Sequence, residues 1–523
     1  MSERFFFTLK WITFLFFLFL FAYKIGTFID PDLGWHLRAG EIVAISGHAP
    51  TIDPWGYVLQ GHAWIDHEWL VDLLLWSALT NGNWLLIESL FLIASFLPVA
   101  IWIARARSQV QLLYVSGAAI MVSGAAGIRP QMLSFLLFFL LYEFLFSLKE
   151  SRVKMIGYLL LPLYFAFWAN IHAGFVAGLA LWALSFIAVN YEKIRQQRSL
   201  FRVPLRELAI ILLSIGGTLL TPYHIDLWYE IFLSTTSPLI AYIGEWQPAL
   251  SHIDIILIAF IGSSAALIVA LRKLLSSAQL LSGVFFFFSY MQHARMGPFF
   301  FVTILPLIET VIASLEKHFL IVLSEFQPLT KKIMLFIPSV ILAVMLTYAA
   351  TSDTLREPYH PPRAAIHALR LLPSAPCRTF NEYGFGGWMI FDDPSRQIFI
   401  DGRGPHWRGA DGKSPFQEYL DLYKHPETWK KLFATYDICT VILPGEEPRK
   451  KELSVNAFRN DHPQLQQLYE TLVNLFYPET NSASLANTLL AEGWCRVYQD
   501  ERAMILTSPG SKMCRHKENT HTQ

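Results

Sequence analysis

The sequence predicts a polytopic α-helical membrane protein with a smaller α/β domain at its C-terminal end. Of its 523 residues, 54% are hydrophobic and 16% are charged, and the mean hydropathy is positive. This composition is too apolar for an ordinary soluble enzyme of the same size. The apolar residues also form long windows, and these windows end near residue 350. Lysine and arginine together number 41, as do aspartate and glutamate, so the net charge gives no support for nucleic acid as a partner.

About eleven windows are apolar enough to form membrane-spanning helices. A helix that crosses the hydrocarbon core needs about 20 apolar residues, because its backbone groups must form their hydrogen bonds within the segment. The windows lie at 5–29, 84–104, 111–128, 130–148, 155–169, 172–190, 207–220, 253–271, 278–294, 297–315 and 333–350. The first window runs directly into acidic residues with no small-residue cleavage site, so it predicts an uncleaved anchor helix.

A twelfth apolar run, 68–80, is interpreted as a helix on the membrane surface. It is shorter than a span, and Glu68 and Asp72 lie four residues apart on one helical face. Trp69 and Trp76 are residues typical of the membrane interface. If this run crossed the membrane, the basic clusters after residue 104 and after residue 148 would lie outside, against the usual distribution of Lys and Arg.

With eleven spans, the Lys and Arg residues up to residue 350 are concentrated on one side of the membrane. The side assigned to the cytosol holds Arg4, Lys10, Arg105, Arg107, Lys149, Arg152, Lys154, Lys193, Arg195, Arg198, Arg202, Arg206, Arg272, Lys273, Lys317, Lys331 and Lys332. The opposite side holds Lys24, Arg38, Arg129 and Arg295. Cytosolic loops carry the excess of Lys and Arg in membrane proteins, so this distribution gives the orientation. Because the number of spans is odd, the chain after residue 350 is expected outside.

The expected domains are a transmembrane domain at 1–350, an outer α/β domain at 351–510 and a disordered tail at 511–523. The first outer loop of the transmembrane domain is 30–83. In the α/β domain, the helical patterns PPRAAIHALRLL, PETWKKLFATY and SLANTLLAEGW alternate with the strand patterns RQIFIDG, DICTVILP, CRVYQDE and AMILTS.

All four cysteines lie in this last third of the chain, at Cys377, Cys439, Cys495 and Cys514. Their spacing resembles no metal-binding motif. We expect a disulfide among the first three if the domain faces an oxidising compartment.

In this topology, the polar residues that a bilayer tolerates least gather on the outer side. They occur in the first loop and in the stretches DHEW (66–69), RPQ (129–131), WANIHAG (168–174), TPYH (221–224), EWQP (245–248) and QHAR (292–295). Acids, histidines and arginines at one mouth of a helix bundle are typical of a membrane site for a polar substrate carried by a lipid.

Asp30 and Asp32 are the first candidates for chemistry. Pro31 between them favours an extended backbone at Asp30, and side chains two residues apart in an extended segment point the same way. Two such carboxylates can hold a divalent cation, or one can act as a general base. The structural alternative is that both acids cap a helix that begins near Leu33.

Two further acidic groups follow in the same loop. Asp53 precedes Pro54, a pair that usually initiates a turn. Asp66 and Glu68 can supply a second pair of ligands, or Asp66 can be the N-cap of a helix that begins at residue 67.

Arg129 and Arg295 lie at helix ends on the outer side, where a guanidinium suits a phosphate or pyrophosphate. The alternative is contact of these long side chains with lipid headgroups. Histidines on the same side are His36, His172, His224 and His293. A single histidine is usually a residue with satisfied hydrogen bonds, and a metal cluster among these four is the less favoured interpretation.

Several motifs together resemble a known class. DPDLGWHLRAG, TIDPWGY, DHEWL, RPQ, WANIHAG, and FNEYGFGGWMIF followed by IFIDGRG are similar to a large, mostly uncharacterised prokaryotic family of polytopic membrane proteins placed in the GT-C class of glycosyltransferases. Oligosaccharyltransferase catalytic subunits and protein O-mannosyltransferases are more distant members. The resemblance covers nearly the whole chain, and it implies a GT-C-like fold with an outer C-terminal domain.

The resemblance also implies a function and the residues that perform it. It implies transfer of a sugar from a polyprenyl phosphate or pyrophosphate carrier to an envelope acceptor, on the outer face of the prokaryotic cytoplasmic membrane. Asp30 and Asp32 are then the base or the ligands of Mg²⁺ or Mn²⁺, although some members of the class use no metal. Substrate binding is assigned to Asp66, Glu68, Arg129, His172 and Arg295. The alternative is a non-catalytic protein that binds the lipid carrier, or a transporter or scaffold.

One motif departs from the class. NEYGFGGW is similar in place to the Trp-Trp-Asp-Tyr-Gly motif that binds acceptors in oligosaccharyltransferases, but it lacks the tryptophans and has Glu382 in place of the aspartate. Independently of the resemblance, Gly384, Gly386 and Gly387 suit a tight turn or a close backbone approach between two strands.

Overall fold

The computed structural model describes residues 3–148, 151–197, 205–249, 260–266, 269, 275–323, 328–351, 360–372, 377–445, 482–511 and 514. The chain forms two compact units. Unit 1 contains Met1–Asp30, His67–Trp228 and Gly244–Tyr359, and unit 2 contains Pro31–Asp66, Tyr229–Ile243 and His360–Gln523.

Unit 1 is helical in its described residues. Its helices are α1 (Glu3–Thr27), α3 (Trp69–Thr80), α4 (Trp84–Arg105), α5 (Gln109–Ser123), α6 (Pro130–Tyr142), α7 (Arg152–Ala169), α8 (Phe175–Gln197), α9 (Leu205–Gly217), α11 (Ser277–Gln292), α12 (Gly297–Leu323) and α13 (Pro328–Thr351). A π-helical turn, Glu143–Ser147, continues α6. The helix α10 (Ile225–Thr236) contains the boundary with unit 2.

The helical membrane class predicted from composition is confirmed. Within the described residues, five helical segments are long and apolar enough to cross a membrane: Glu3–Thr27, Trp84–Arg105, Pro130–Ser147, Phe175–Lys193 and Ala294–Glu316. Shorter apolar helices occupy most of the remaining predicted windows. Most of the window 253–271 lies outside the described residues. The helix α3 has only 12 residues, as expected for a segment that does not cross the bilayer.

Polar and small residues fix neighbouring helices of unit 1 against each other. Arg105 at the end of α4 donates two hydrogen bonds of 2.6 and 2.7 Å to the two carboxylate oxygens of Glu143. Between α7 and α9, a Cβ atom at Gly217 would lie 2.4 Å from the carbonyl oxygen of Pro162, so only glycine permits this approach. The helix α6 packs against α4, α8 and α12, which places its N-terminal end among several helices.

Unit 2 combines helices with one sheet. Its helices are α2 (Leu33–Ser46), α14 (Arg363–Arg370), α15 (Gly386–Asp392), α16 (Pro415–Lys424), α17 (Trp429–Tyr436) and α18 (Ser482–Ala491), and its strands are β1 (Arg378–Asn381), β2 (Ile438–Pro444), β3 (Cys495–Gln499) and β4 (Ala503–Thr507). The strand order is β1-β2-β4-β3. The pair β1/β2 is parallel, and the pairs β2/β4 and β4/β3 are antiparallel.

The core of unit 2 lies between this sheet and the helices α16, α17 and α18. Phe380 on β1, Val441 on β2 and Leu506 on β4 have no exposed surface. They pack in one cluster with Tyr419 from α16 and Leu489 from α18. The predicted α/β character of this part of the chain is therefore present in the structure.

One strand prediction is wrong, and one strand was not predicted. RQIFIDG contains only an isolated bridge, between Ile398 and Gly56. The backbone N–H of Phe399 donates to the side-chain oxygen of Asn381 at 2.8 Å, and the Asn381 amide donates to the carbonyl of Ile400 at 2.8 Å. A side chain thus takes the place of a neighbouring strand. β1 (RTFN) is too short to show the alternation by which strands are recognised.

The cysteines form two disulfides, Cys377 with Cys439 and Cys495 with Cys514. The expectation of a disulfide among the first three cysteines is met by the first bond. The second bond involves Cys514, which the sequence analysis left out of the pairing.

Two helices of unit 2 meet at backbone distance. A Cβ atom at Gly34 in α2 would lie 2.2 Å from the carbonyl oxygen of Gly387 in α15, and one at Gly387 would lie 2.4 Å from the carbonyl oxygen of Pro31. A Cβ at Gly386 would lie 2.2 Å from the carbonyl oxygen of Ile400, whereas Gly384 has open space. The predicted close approach is thus found at Gly386 and Gly387, but in a helix and not between two strands.

Candidate active site

Arg129 lies against Asp30 in unit 1. Arg129 precedes Pro130, the first residue of α6, and proline disfavours a helical backbone in the residue before it. The backbone of Arg129 is accordingly extended, with φ −133° and ψ 130°. From there Nε donates a hydrogen bond to the buried carboxylate of Asp30. The guanidinium also lies 5.0 Å from the ring centre of Phe28, so it is held on two sides.

Arg295 belongs to a short turn (Ala294–Met296) between α11 and α12. Its guanidinium lies 4.3 Å from the ring centre of Trp246. The backbone of this turn is fixed as well, because Gln131 donates from its side-chain amide to the carbonyl of Arg295 at 3.0 Å. The N–H of Ala294 donates to the carbonyl of Gln247 at 2.8 Å.

Glu245 contacts both arginines. One of its carboxylate oxygens lies 3.2 Å from Nη1 of Arg295, and the other lies 3.7 Å from Nη1 of Arg129. The four side chains therefore form a row of alternating charge in the order Asp30, Arg129, Glu245, Arg295, which we call the charge row. Glu245 and Arg295 lie 116 and 166 positions after Arg129, so only the folded chain brings them together.

A second polar group in unit 1 surrounds Glu68. One carboxylate oxygen of Glu68 lies 3.6 Å from Nε2 of His172 and 3.8 Å from Nε2 of His67. His172 is buried, and its Nδ1 lies 2.9 Å from the hydroxyl of Ser134 on α6. The indole N–H of Trp168 donates to the same hydroxyl at 2.7 Å. Glu68 thus lies beside a chain of hydrogen-bonded side chains formed by His172, Ser134 and Trp168.

The contacts of His172 determine which nitrogen carries the proton. The backbone N–H of Gly174 donates to Nδ1 of His172 at 2.8 Å, so Nδ1 must be the accepting nitrogen. The proton of the neutral ring is then on Nε2, which faces Glu68. The close packing needs glycine, because a Cβ at Gly174 would lie 2.5 Å from the Ser134 hydroxyl oxygen.

Asp32 and Asp66 belong to unit 2. Asp32 is the N-cap residue of α2, but its side chain makes no capping hydrogen bond. Its carboxylate lies against Gly402, where a Cβ would approach Oδ1 to 2.1 Å. Asp66 is buried. The alternative that Asp66 caps a helix is wrong, because α3 begins at Trp69 with Glu68 in the N-cap position.

The Asp53-Pro54 pair forms the turn that its sequence predicts. The carboxylate of Asp53 accepts hydrogen bonds of 3.0 Å from the N–H groups of Trp55 and Gly56. It is also 2.9 Å from Nη1 of Arg403, an ion pair that the sequence did not reveal. Asp401 forms the other ion pair of Arg403, at 2.6 Å.

Arg403 is enclosed by three tryptophan rings. Its guanidinium carbon lies 4.7, 4.6 and 5.3 Å from the ring centres of Trp55, Trp64 and Trp407. Burial lowers the pKa of Arg403, but Asp401 and Asp53 outweigh it, and the pKa is raised above its ordinary value. The adjoining cavity of about 30 Å³ has room for one or two water molecules and not for a sugar. This cluster is a charged part of the core of unit 2.

The other histidines that the sequence predicts to lie outside have ordinary partners. Nδ1 of His293 donates to the carbonyl of Trp246 at 2.8 Å, and Nδ1 of His224 donates to the carbonyl of Leu219 at 3.0 Å. The ring of His36 stacks on Trp35 with centres 3.6 Å apart. In the part of the chain that the structure describes, no three His, Cys, Asp or Glu side chains form a group that could hold a metal ion.

Sequence reasoning proposed Asp30, Arg129 and Arg295 for one side of the bundle, and the structure brings them together through Glu245. It also named Glu68 and His172, which the structure brings together. It missed Glu245 and Ser134. Glu245 stands in the outer stretch EWQP, which was a signal, whereas Ser134 is a single hydroxyl inside an apolar helix.

The fold is similar to that of known glycosyltransferases. Archaeal oligosaccharyltransferase AglB from Archaeoglobus fulgidus, in complex with an inhibitory peptide and a dolichol-phosphate, matches with a TM-score of 0.51 and 12% identity over 84% of this chain and 69% of AglB. The apo form of the Archaeoglobus fulgidus oligosaccharyltransferase matches with a TM-score of 0.50 and 12% identity over 85% of this chain and 70% of the other. ArnT from Cupriavidus metallidurans bound to undecaprenyl phosphate matches with a TM-score of 0.46 and 12% identity over 98% of this chain and 99% of ArnT.

At the level of sequence, no family model and no curated protein matches the chain. The structural likeness to the oligosaccharyltransferase, at 12% identity, establishes the fold. The chain is therefore an integral membrane protein with the GT-C-like fold that its motifs predict.

Proposed function

We propose that this protein is a membrane glycosyltransferase that moves a sugar from a polyprenyl phosphate or pyrophosphate carrier to an acceptor on the outer face. The charge row carries the proposal. Charged side chains buried within a helix bundle are costly and usually serve a polar ligand or an ion pathway, and the Asp30 carboxylate of this row is buried. The structure of AglB, which has a similar fold, contains a dolichol-phosphate and an inhibitory peptide, and this supports a lipid-linked donor.

In the proposed reaction, an acceptor hydroxyl or amide attacks the anomeric carbon of the sugar. The new bond forms at that carbon while its bond to the phosphate oxygen breaks, and the bonding electron pair leaves with the carrier phosphate. Asp30 or Asp32 takes the proton of the acceptor. Arg129 or Arg295 offsets the negative charge that develops on the phosphate. A single displacement of this kind inverts the configuration of the anomeric carbon.

Asp66, Glu68 and His172 are proposed to bind the substrate. Nε2 of His172 faces one carboxylate oxygen of Glu68 at 3.6 Å, so the imidazole and the carboxylate present their polar atoms side by side. An ionised carboxylate is a strong acceptor for sugar hydroxyl groups.

Mg²⁺ or Mn²⁺ serves some members of the class, and Asp30 and Asp32 are the ligands that the sequence proposes. The described residues do not fit such a site as they stand. They contain no group of three suitable side chains, and the Asp30 carboxylate is paired with Arg129. Each step above is therefore assigned to protein side chains.

The proposed location is the prokaryotic cytoplasmic membrane, with the C-terminal domain outside. Two disulfides in unit 2 support this orientation. Disulfides form and persist in oxidising compartments and are rare in the cytosol.

The proposal is tested with Asp32→Ala and with the double variant Asp30→Ala/Asp32→Ala, in cells that depend on this protein for an envelope glycan. We expect transfer to fall by about a hundredfold or more, the usual contribution of a general base. Asp411→Ala is the matched control, because Asp411 is an exposed aspartate in the same unit. Unchanged glycans at normal protein levels would contradict the proposal. If a lipid carrier still co-purified, the non-catalytic alternative would be favoured.

A further inference from the structure

Glu245 lies where an anionic ligand of the two arginines would be expected. Each of its carboxylate oxygens faces Nη1 of a different arginine, at 3.2 Å for Arg295 and 3.7 Å for Arg129. Its side chain is 38% exposed, the largest exposure in the charge row. It belongs to a three-residue turn (Gly244–Trp246), and a Cβ at the preceding Gly244 would have no atom within 4 Å. Because more than a third of its side chain is exposed, the Glu245 carboxylate can turn toward solvent without entering the protein interior.

We propose that Glu245 takes the place of one phosphate group of the lipid carrier and is displaced when the donor binds, so that the site selects carriers with a single phosphate. The inference rests on the proposed function and names the class of donor within it: a polyprenyl monophosphate sugar and not a pyrophosphate sugar.

The first argument is geometric. A carboxylate presents two oxygens on one atom, and a single phosphate group does the same, so both can face two guanidinium groups in one arrangement. If a pyrophosphate faces the two arginines with one of its phosphates in this arrangement, the charged oxygens of its second phosphate lie outside it. Arg295 cannot easily move away to accommodate them, because Trp246 lies against its guanidinium and Gln131 binds its carbonyl.

The second argument is the balance of charge. Arg129 and Arg295 carry two positive charges, and Asp30 and Glu245 carry two negative charges. When Glu245 leaves, one positive charge in excess remains among these side chains. The phosphodiester of a monophosphate donor carries one negative charge and restores neutrality, whereas a pyrophosphate donor carries two. Uncompensated charge in a partly buried site is costly.

Displacement of Glu245 must weaken the observed affinity for the carrier. Only the fraction of molecules in which the two arginines are released from Glu245 is competent to bind. Glu245→Gln removes the competing charge and keeps the size of the side chain. We expect it to lower the Kd for a monophosphate carrier by about tenfold.

The experiment measures binding of undecaprenyl phosphate glucose and of undecaprenyl diphosphate glucose, which carry one and two negative charges, to the purified full-length protein in nanodiscs. The expected result is that the wild type prefers the monophosphate and that Glu245→Gln binds it about tenfold more tightly. Glu41→Gln is the matched control, because Glu41 also pairs with an arginine, Arg38, but lies in unit 2. The Kd of Glu41→Gln for the monophosphate carrier should equal that of the wild type.

Two results overturn the inference alone: Glu245→Gln binds no more tightly than the wild type, or the diphosphate is preferred. Either one leaves a carrier bound and the proposed function intact. If neither lipid binds the wild type or any variant, both the inference and the proposed function fail. Should Glu245→Gln not fold, Glu245→Asp is the second variant. Its side chain is shorter by one methylene, which moves the carboxylate away from the arginines, so it should also lower the Kd for the monophosphate carrier.

Discussion

The missing side chain of Gly402 determines where the carboxylate of Asp32 can lie. A Cβ at this position would lie 2.1 Å from Oδ1 and 2.7 Å from Oδ2 of Asp32. A Cβ cannot lie that close to an oxygen, so a larger residue at position 402 must displace the Asp32 carboxylate from its present place. The glycine of the DGRG stretch thus acts on a proposed catalytic acid that lies 370 positions before it.

A double-mutant cycle measures this dependence. Gly402→Ala should destabilise the protein by about 1–3 kcal/mol, the usual effect of overpacking, and should reduce envelope glycan transfer as Asp32→Ala does. In the Asp32→Ala background the same change should cost less, because the colliding atoms are gone. Thermal unfolding of the purified variants gives the free energies.

Gly384→Ala is the control for this cycle, because a Cβ at Gly384 has no atom within 4 Å. Additive effects of Asp32→Ala and Gly402→Ala would show that the two positions do not interact.

At the scale of residues, the sequence shows which charged side chains are candidates for a site, but it does not show which residues they contact. Arg129 and Arg295 were recognised because each is an isolated charge at the outer end of an apolar window. Glu245 was not recognised, because a glutamate in a loop carries no periodic signal and its partners are distant in the sequence. Asp32 was recognised from its spacing to Asp30, but its contact with Gly402 depends on tertiary structure.

At the scale of elements, the end of β1 meets one face of α16. Glu382 follows β1 and continues its pairing, since its N–H donates to the carbonyl of Ile442. Tyr419 and Tyr423 lie four residues apart on α16, so both hydroxyls point in one direction and donate to the Glu382 carboxylate. Burial raises the pKa of Glu382, although the two tyrosine hydrogen bonds oppose it. This contact explains the glutamate of the NEYGFGGW motif as a structural residue of unit 2.

The raised pKa of Glu382 predicts a dependence of stability on pH. The protonated Glu382 carboxyl adds to the free energy of unfolding, because its pKa is higher in the folded state than in the unfolded state. This contribution is fully present below the ordinary glutamate pKa, and it is lost as the pH rises through the higher pKa of the folded state. Glu382→Gln cannot ionise and should not show this loss. Thermal unfolding between about pH 5 and pH 8, a range that lies above the ordinary glutamate pKa of about 4.3, should therefore show the variant gaining stability relative to the wild type as the pH rises.

Glu427→Gln is the control for this comparison, because its carboxylate is exposed in the same unit. A difference between wild type and Glu382→Gln that does not change with pH would contradict the assignment.

Helices were predicted more accurately than strands, for a physical reason. A bilayer requires every backbone group of a span to be bonded within its own segment, so the helix is visible in the local sequence. Strand partners come from elsewhere in the chain. Thus α4 begins and ends within one residue of its predicted window, whereas RQIFIDG was assigned to a strand although the side chain of Asn381 occupies the backbone groups of Phe399 and Ile400.

At the scale of the whole molecule, the orientation in the membrane can be tested through the disulfides. If unit 2 is outside, a maleimide that does not cross membranes should label its cysteines in intact cells only after treatment with an impermeant reductant. Lys193→Cys is the internal control, because Lys193 is exposed at the end of α8 and is predicted to be cytosolic. It should react only after lysis. Labelling of the native cysteines only after lysis would reverse the proposed orientation.

The fold class could be predicted from composition and motifs, because long apolar windows indicate membrane-spanning helices within the local sequence. The likeness in fold to AglB, at 12% identity, agrees with that prediction. The bonds that arrange the candidate site could not, because they join loops whose sequences show no periodicity.

The N-terminal end of α6 connects the two polar groups of unit 1. Arg129 precedes this helix, Gln131 lies in its first turn and binds the Arg295 turn, and Ser134 lies one turn further and contacts His172. A helix is a rigid rod with about 100° of rotation per residue. One residue added to or removed from α6 before Ser134 would therefore turn the hydroxyl away from the imidazole while Arg129 stayed at Asp30. The number of residues between Arg129 and Ser134 is therefore fixed by two contacts, one with Asp30 and one with His172. A change in that number would require a new partner at one of the two positions.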